Sequence, residues 1–335
     1  MFLIDEPDIY LHSDLQRQLV NILRELGPDI LIASHSTEIV TESEADEILV
    51  VDKRRARASR LKSATQLDGV FRMLGSAVNP VLTQLAKTRR VVFVEGLDFQ
   101  LLARFARKLG FSKVANRSDF AVVTIEGFNP DRVKTLKRGM ETTLGGEIKA
   151  AVILDRDYRS SKECENVKLN CDAFCALTII HESKELENFV LVVDAIDRAA
   201  AARLHDRARR GGQQQVYAPI ANLALERFAA SKFSYVASQY IGSHKRYERS
   251  IGSGINETTL GEQALNEIND RWQNKAEKLK MIPGKEAISE INVALQEAYG
   301  ISLTTNSIVD SMKIVEIPIE IRTLVEKIDH FCSDL

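Results

Sequence analysis

Carboxylates follow two apolar runs of this sequence, at positions where they could bind a metal ion. The run RVVFV ends at Glu95, with Asp98 three residues later, and the run KAAVIL ends at Asp155 and Asp157. Positions i and i+2 of a strand share a face, so Asp155 and Asp157 are expected to point the same way. Like charges this close favour a divalent cation with hard oxygen ligands, such as Mg²⁺ or Mn²⁺. Solvated strand ends are the alternative interpretation.

The elements around these acids predict an α/β fold. Strands are predicted at 91–95, 120–125, 149–155 and 173–180, and helices at 99–109 and 130–144. Glycines follow both predicted helices, and Pro130 opens the second. Alternating strands and helices are typical of a parallel sheet, whose carboxyl edge binds ligands. Glu126 also follows a strand, but it has no acid two residues away, which favours a capping role.

The order strand–Glu–Gly, helix, strand–Asp-x-Asp resembles the Toprim domain of topoisomerases, primases and OLD-family nucleases. The resemblance covers roughly residues 89–190 and implies a Toprim-like parallel sheet flanked by helices. The family often has a second acid four residues after the glutamate. Here that position is Phe99 and the nearest acid is Asp98, so the ligands for a second metal ion depart from the family pattern.

A further acidic segment, SKELENFVL, follows the last predicted strand. It is similar to an E-x-E-N-aromatic run of OLD-family nucleases, in which an acid joins the metal site. The resemblance assigns that role to Glu187 first and Glu185 second. The alternative is that both acids simply open a helix, where the helix dipole favours negative charge.

A lysine stands at a predicted helix start in the segment MIPGKE, where the helix dipole disfavours a cation. Class 2 OLD-like nucleases have a similar Gly-Lys pair, whose lysine faces the scissile phosphate. By resemblance, Lys285 stabilises the charge that develops in the transition state. A plain surface lysine is the alternative.

The beginning of the chain carries another pattern. The strand FLI ends at Asp5 and Glu6, and a second strand, predicted at 29–33, ends at Ser34-His35-Ser36. This resembles the second half of an ABC-type ATPase, with a Mg²⁺-holding Asp5, a water-polarising Glu6, a γ-phosphate-sensing His35 and a D-loop at Leu11-His12-Ser13.

The sequence contains neither a phosphate-binding G-x-x-x-x-G-K-S/T loop nor an LSGGQ-like signature. We therefore expect an ATPase tail whose front half is lost by truncation or frameshift, or is encoded as a separate polypeptide. The chain alone is expected not to hydrolyse ATP. ATP would bind only with a P-loop-containing partner or with the missing half.

Two basic clusters are candidate DNA contacts. One is the run KRRARASRLK, and the other comprises Arg203, Arg207, Arg209 and Arg210. Phosphate contacts and solvated surfaces are both open interpretations. The net charge of −2 provides no global basic field, so any DNA contact must be local.

The composition is typical of a globular protein with two or more folded parts. The 335 residues are 44% hydrophobic and 27% charged, and the four cysteines lack zinc-site spacing. Free thiols, no signal peptide and no membrane span predict a cytoplasmic protein without membrane contact. The predicted parts are a partial ATPase segment (1–75), a linker helix (76–88), a Toprim core (89–192), a helical insertion (193–280) and C-terminal helices (281–335).

Together these resemblances imply a metal-dependent DNA endonuclease of the OLD family, class 2, of the kind linked to phage defence or DNA repair, in which an ABC-type ATPase controls the nuclease. Two Mg²⁺ or Mn²⁺ ions would clamp the attacking and leaving oxygens. Glu95, Asp155 and Lys285 are the expected catalytic residues, DNA the substrate, and a homodimer the expected assembly. The alternatives are a topoisomerase- or primase-like Toprim protein, and a non-catalytic dimerisation or regulatory fragment of a split ATPase–nuclease.

Overall fold

The structure is a computed structural model that describes residues 1–9, 11–26, 29–43, 47–52, 57–61, 70, 80–95, 98–125, 127, 129–209 and 215–333. The chain divides into two compact units. The first comprises Met1–Arg89 with Asn116–Ala121, and the second comprises Arg90–Ala115 with Val122–Leu335. The prediction that the chain has an α/β fold is confirmed, because both units combine strands with helices.

The first unit contains two small sheets. Strands β1 (Phe2–Asp5) and β2 (Ile30–Ala33) pair in parallel, and strands β3 (Leu49–Asp52) and β4 (Arg57–Arg60) pair antiparallel. The helices of this unit are α1 (Ser13–Glu25), α2 (Thr37–Glu42) and α3 (Pro80–Thr88). Ser36 caps the start of helix α2, and its hydroxyl accepts hydrogen bonds from two backbone amides of the first turn. The predicted linker helix (76–88) is described from Pro80 onward, as helix α3.

The second unit is built on a four-stranded sheet. Its strands are β5 (Arg90–Glu95), β6 (Ala121–Ile125), β7 (Lys149–Leu154) and β8 (Leu177–Ile180). The spatial order is β6-β5-β7-β8, and β5/β7 and β7/β8 pair in parallel. The chain moves from β5 to the edge strand β6 and then returns to the other side of β5. The boundary between β5 and β7 is therefore the topological switch point, where open α/β sheets bind their ligands.

Helices connect these strands, and glycine ends two of them as predicted. The connecting helices are α4 (Asp98–Leu109), α5 (Ser112–Asn116), α6 (Pro130–Leu144) and α7 (Ser161–Asp172). Gly110 (φ 86°) and Gly145 (φ 64°) adopt the left-handed conformation that stops a helix. Asn129 caps the start of α6 through its side-chain oxygen.

The remainder of the second unit is helical. A 3₁₀ helix at Leu186–Val190 follows β8, and a second one spans Ile314–Glu316. The α-helices are α8 (Val193–Arg209), α9 (Ala221–Ser250), α10 (Glu257–Gln273), α11 (Lys275–Met281), α12 (Gly284–Tyr299), α13 (Thr305–Ser311) and α14 (Ile319–Ser333).

Apolar spacing in the sequence predicts one helix over 222–239 and another over 260–279, and both predictions are wrong in extent. Helix α9 runs to Ser250 rather than ending near Gln239, and Tyr240, just past the predicted end, is buried in the same apolar cluster as Val236. The single helix predicted over 260–279 is interrupted at Asn274, which caps α11 through its side chain. All four cysteines are free thiols, as predicted. Among the described helices, none is long and apolar enough to cross a membrane.

Candidate active site

Glu95 ends the most buried part of the sheet. Residues 91–94 of β5 are completely buried, and Glu95 follows them at the carboxyl edge. The backbone amide of Asp155 donates a hydrogen bond to the Glu95 carboxylate. Oε2 of Glu95 is buried and has no partner among the residues that the structure describes. Burial, with added repulsion from Asp155 and Asp157, raises the pKa of Glu95.

Asp155 and Asp157 lie beyond the end of β7, not on it. The prediction that they share one strand face is wrong because β7 ends at Leu154 and the chain turns there. Asp157 has a φ of 51°, and its amide donates to the Lys184 carbonyl. Asp155 is buried at the sheet edge, whereas Asp157 forms a 2.7 Å ion pair with Arg159. Both acids still affect Glu95 electrostatically.

His181 is a site residue that the sequence analysis missed. It is buried at the end of β8, and its Nε2 lies 2.8 Å from Oδ1 of Asp155. Its ring contacts Phe189 edge-on at a centroid distance of 5.4 Å. A signal existed in the sequence, since His181 directly follows an apolar run, as Glu95 and Asp155 do.

The two glutamates of the SKELENFVL segment have different environments. Glu185 is buried and accepts hydrogen bonds from the Lys285 amide (2.6 Å) and from Nζ of Lys184 (2.7 Å), so it holds the start of α12. Glu187 instead keeps a buried Oε2 with no partner in the described part of the chain. Burial raises the pKa of Glu187, the Lys285 ammonium lowers it, and Asp155 contributes a raising effect. This electrostatic link connects Glu187 to the acids at the sheet edge.

Asn188 and Gly284 hold this segment against α12. The side-chain Nδ2 of Asn188 donates hydrogen bonds to the backbone carbonyls of Leu279 (2.6 Å) and Ile282 (2.8 Å). Its Oδ1 accepts one from the backbone amide of Glu185. A Cβ atom at Gly284 would lie 2.9 Å from the backbone nitrogen of Asn188. This close approach requires glycine, and it brings Nζ of the following residue, Lys285, to 3.3 Å from Glu187.

The acids predicted to bind metal are only partly described. Asp98 begins α4, but its side chain lies outside the described residues, as do Glu126 and most of the basic run KRRARASRLK. Within the described part of the chain, no three His, Cys, Asp or Glu side chains are arranged to hold one ion together. The carboxylates are instead held by His181, Arg159 and Lys285.

The arginine cluster of α8 divides into different environments. Arg207 donates to the carbonyls of Tyr299 (2.6 Å) and Gly300 (3.2 Å) and thereby holds the end of α12. Arg203 and Arg209 are exposed, and Arg210 is outside the described residues. Arg207 therefore has a packing role independent of any DNA contact.

The predicted ATPase residues gather at the carboxyl end of the β1–β2 pair. Asp5 is the last residue of β1, and Glu6 follows it with a φ of 42°. Nδ1 of His35, which comes just after β2, lies 3.3 Å from Oε1 of Glu6. Beside them, the Ser34 hydroxyl donates to the buried Asp8 at 2.6 Å.

The comparison with known families agrees with this arrangement. Residues 1–41 match the family model described as AAA domain, putative AbiEii toxin, Type IV TA system. The N-terminal segment is thus similar to an AAA-type ATPase. No curated protein matches the chain.

The donor chemistry of the second unit fits a hard divalent cation. Three buried carboxylate oxygens, on Glu95, Glu163 and Glu187, have no partner among the described residues, and those of Glu95 and Glu187 belong to the candidate site. Buried polar atoms are ordinarily satisfied, so each of these oxygens can bind a proton, a water molecule or a cation. Burial is the main cause of the raised pKa values of Glu95 and Glu187, with a smaller contribution from neighbouring carboxylates. Carboxylate oxygens are the donors that Mg²⁺ and Mn²⁺ prefer, but the acids of the described residues do not converge in threes on one point.

Proposed function

We propose that this protein is a metal-dependent endonuclease that cleaves DNA phosphodiester bonds. The observation that carries the proposal is the meeting of Glu95 and Asp155 at the switch point of the sheet, where the Asp155 amide contacts the Glu95 carboxylate. Glu187 and Lys285 supply a further carboxylate and a cation linked to these acids. Carboxylates beside a lysine suit the transfer of a charged phosphoryl group.

The residues of this site have separable roles in the proposed reaction. Bound Mg²⁺ or Mn²⁺ supplies the positive charge that phosphodiester cleavage requires. Glu95, Asp155 and Glu187 would hold the metal ion, His181 fixes the orientation of Asp155, and Arg159 restrains Asp157. The Lys285 ammonium offsets negative charge on the phosphate, because its side chain is 60% exposed and thus accessible to a substrate.

Plasmid cleavage tests this proposal. The purified chain is incubated with supercoiled plasmid and Mn²⁺ or Mg²⁺, beside Asp155→Asn and the control Glu297→Gln, which changes an exposed acid of α12. We expect nicked or linear DNA from the parent and the control but not from Asp155→Asn. Relaxed, resealed circles would instead identify a topoisomerase.

A negative result would also be informative. If the parent neither cleaves DNA nor binds Mn²⁺ in a calorimetric titration, the nuclease proposal is wrong. The non-catalytic regulatory fragment then becomes the better interpretation. Equal cleavage by the parent and by Asp155→Asn would reject the proposed site while leaving a nuclease elsewhere in the chain.

We further propose that the N-terminal segment works with a polypeptide that carries a phosphate-binding loop. In support, residues 1–41 are similar to an AAA-type ATPase, and Phe2 and Leu3 of β1 are 62% and 69% exposed. Strands of a parallel sheet are ordinarily covered on both faces, so these side chains favour a covering partner. The chain alone is expected to release no phosphate from ATP. Hydrolysis that is lost in Glu6→Gln would contradict this proposal.

A further inference from the structure

A cleft of about 440 Å³ adjoins the candidate active site. One wall is the turn after β7, with Asp157, Tyr158 and Arg159, and the other is the middle of α9. Its volume falls within the range of small-ligand pockets. Asp157 belongs to both the cleft and the acidic group, so a molecule in the cleft would lie beside the carboxylates.

The wall formed by α9 is a regular stripe of side chains. Tyr235, Gln239, Ser243 and Tyr247 follow one another at intervals of four and all line the cleft. This spacing places them on one face of the helix. Tyr235 is 44% exposed, and its ring meets that of Tyr158 nearly perpendicularly, at 82° and a centroid distance of 6.4 Å.

The cleft also carries cations. Arg159 pairs with Asp157 and with Glu163, and Lys184 pairs with Glu185, so these charges are already engaged. Arg246 is different because it is exposed at the cleft and acts on Glu163 only through its charge, lowering that acid's pKa against the larger effect of burial. Arg246 can therefore engage an anionic group without breaking one of the ion pairs of Arg159 or Lys184.

We infer that this cleft binds an unpaired nucleotide of the DNA strand that the proposed nuclease cleaves. The inference rests on the proposed function and adds a substrate class, namely single-stranded or locally unpaired DNA. An exposed tyrosine suits base stacking, amide and hydroxyl groups suit base edges, and an arginine suits the phosphate. Bases inside a duplex have both faces covered by stacking, so only an unpaired base can use Tyr235 in this way.

Binding measured without turnover tests the inference. The intact chain is titrated in Ca²⁺ against a fluorescent oligothymidylate of about 16 nucleotides, against a duplex of equal length, and against free dTMP as competitor. The variants are Tyr235→Ala, Tyr235→Phe and Arg246→Ala. Arg227→Ala is the matched control, because Arg227 is an exposed arginine of the same helix and does not line the cleft.

We expect the parent to prefer the single strand over the duplex. Tyr235→Ala should weaken single-strand binding by about 5- to 150-fold, whereas Tyr235→Phe, which keeps the ring, should bind like the parent. Arg246→Ala should weaken binding and lower the slope of log affinity against log salt by about one. Arg227→Ala should leave both quantities unchanged.

Three results would overturn the inference. The first is unchanged binding by both Tyr235→Ala and Arg246→Ala, and the second is equal affinity for duplex and single strand. The third is displacement of the oligonucleotide by dTMP at comparable concentration, which would make the cleft a site for free nucleotides.

The nuclease proposal can fail independently of the cleft assignment. If these binding differences hold but plasmid stays uncut with every metal, the cleft assignment survives and the nuclease does not. If instead the parent cleaves plasmid but Tyr235→Ala and Arg246→Ala bind the oligonucleotide like the parent, the nuclease proposal survives and the cleft assignment does not.

Discussion

Nε2 of His181 lies 2.8 Å from Oδ1 of Asp155, and both side chains are buried at the carboxyl edge of the central sheet. The two residues follow adjacent parallel strands, β8 and β7. The contact fixes one oxygen of Asp155, and it ties the orientation of this acid to the core through the ring contact of His181 with Phe189.

Removing this contact is expected to weaken metal binding. His181→Ala should lower the affinity for Mn²⁺ by about 10- to 100-fold, because groups that orient a metal ligand contribute that much. It should also cost about 1.5–3 kcal/mol of unfolding free energy through the lost hydrogen bond to a charged group. Calorimetric titration with Mn²⁺ gives the affinity. His205→Ala, at an exposed position of α8, is the control. Parental Mn²⁺ affinity in folded His181→Ala would contradict this prediction.

Lys285 is expected to affect turnover rather than folding. Lys285→Ala should lower kcat for plasmid cleavage by about 10²- to 10³-fold, as does loss of a group that stabilises transition-state charge. Because the Lys285 side chain, whose ammonium pairs with Glu187, is 60% exposed and screened by solvent, losing the ion pair should lower the unfolding free energy by no more than about 1 kcal/mol. Steady-state cleavage and thermal unfolding are compared with Lys134→Ala, which removes an exposed lysine of α6. If the two variants cleave equally fast, Lys285 has no role in the reaction.

Gly284 is expected to tolerate no side chain. In Gly284→Ala, the new Cβ would approach the backbone and side chain of Asn188 within about 3 Å, so the segment bearing Glu187 must move. We expect a loss of about 1–3 kcal/mol in urea unfolding.

The matched control for this prediction is Gly139→Ala inside α6, where a Cβ meets nothing within 4 Å. That change should raise stability by about 0.4–1 kcal/mol by restricting the unfolded chain. If Gly284→Ala and Gly139→Ala change the unfolding free energy by similar amounts, Asn188 does not restrict the space at Gly284.

His244 on α9 is expected to make stability depend on pH. Burial lowers its pKa from the ordinary value of 6.5, with Glu267 opposing the shift and Arg156 adding to it. Below that value the unfolded chain binds the proton more readily than the folded protein, so this residue makes stability fall as pH decreases. His244→Gln should reduce the dependence of the unfolding free energy on pH between about pH 5 and 6.5. His205→Gln should retain the parental slope, and the same slope in both variants would exclude His244 as the cause.

Local elements of this protein could be predicted well from sequence. Four apolar runs became the strands of the central sheet, and Gly110 and Gly145 ended their helices, because buried strands and left-handed caps depend on nearby residues. The extent of α9 and the break at Asn274 could not be predicted in the same way. They depend on which distant side chains pack against each turn.

The sequence by itself determined which acids stand at strand ends, because that placement follows from the chemistry of neighbouring residues. Only the tertiary structure decided that β5 and β7 are adjacent, and therefore that Glu95 and Asp155 meet. It also joined His181 to Asp155, and it divided Glu185, which holds a helix start, from Glu187, which keeps an unpartnered oxygen among the described residues. These distinctions depend on strand order and on contacts between residues up to about a hundred positions apart, which no local pattern encodes.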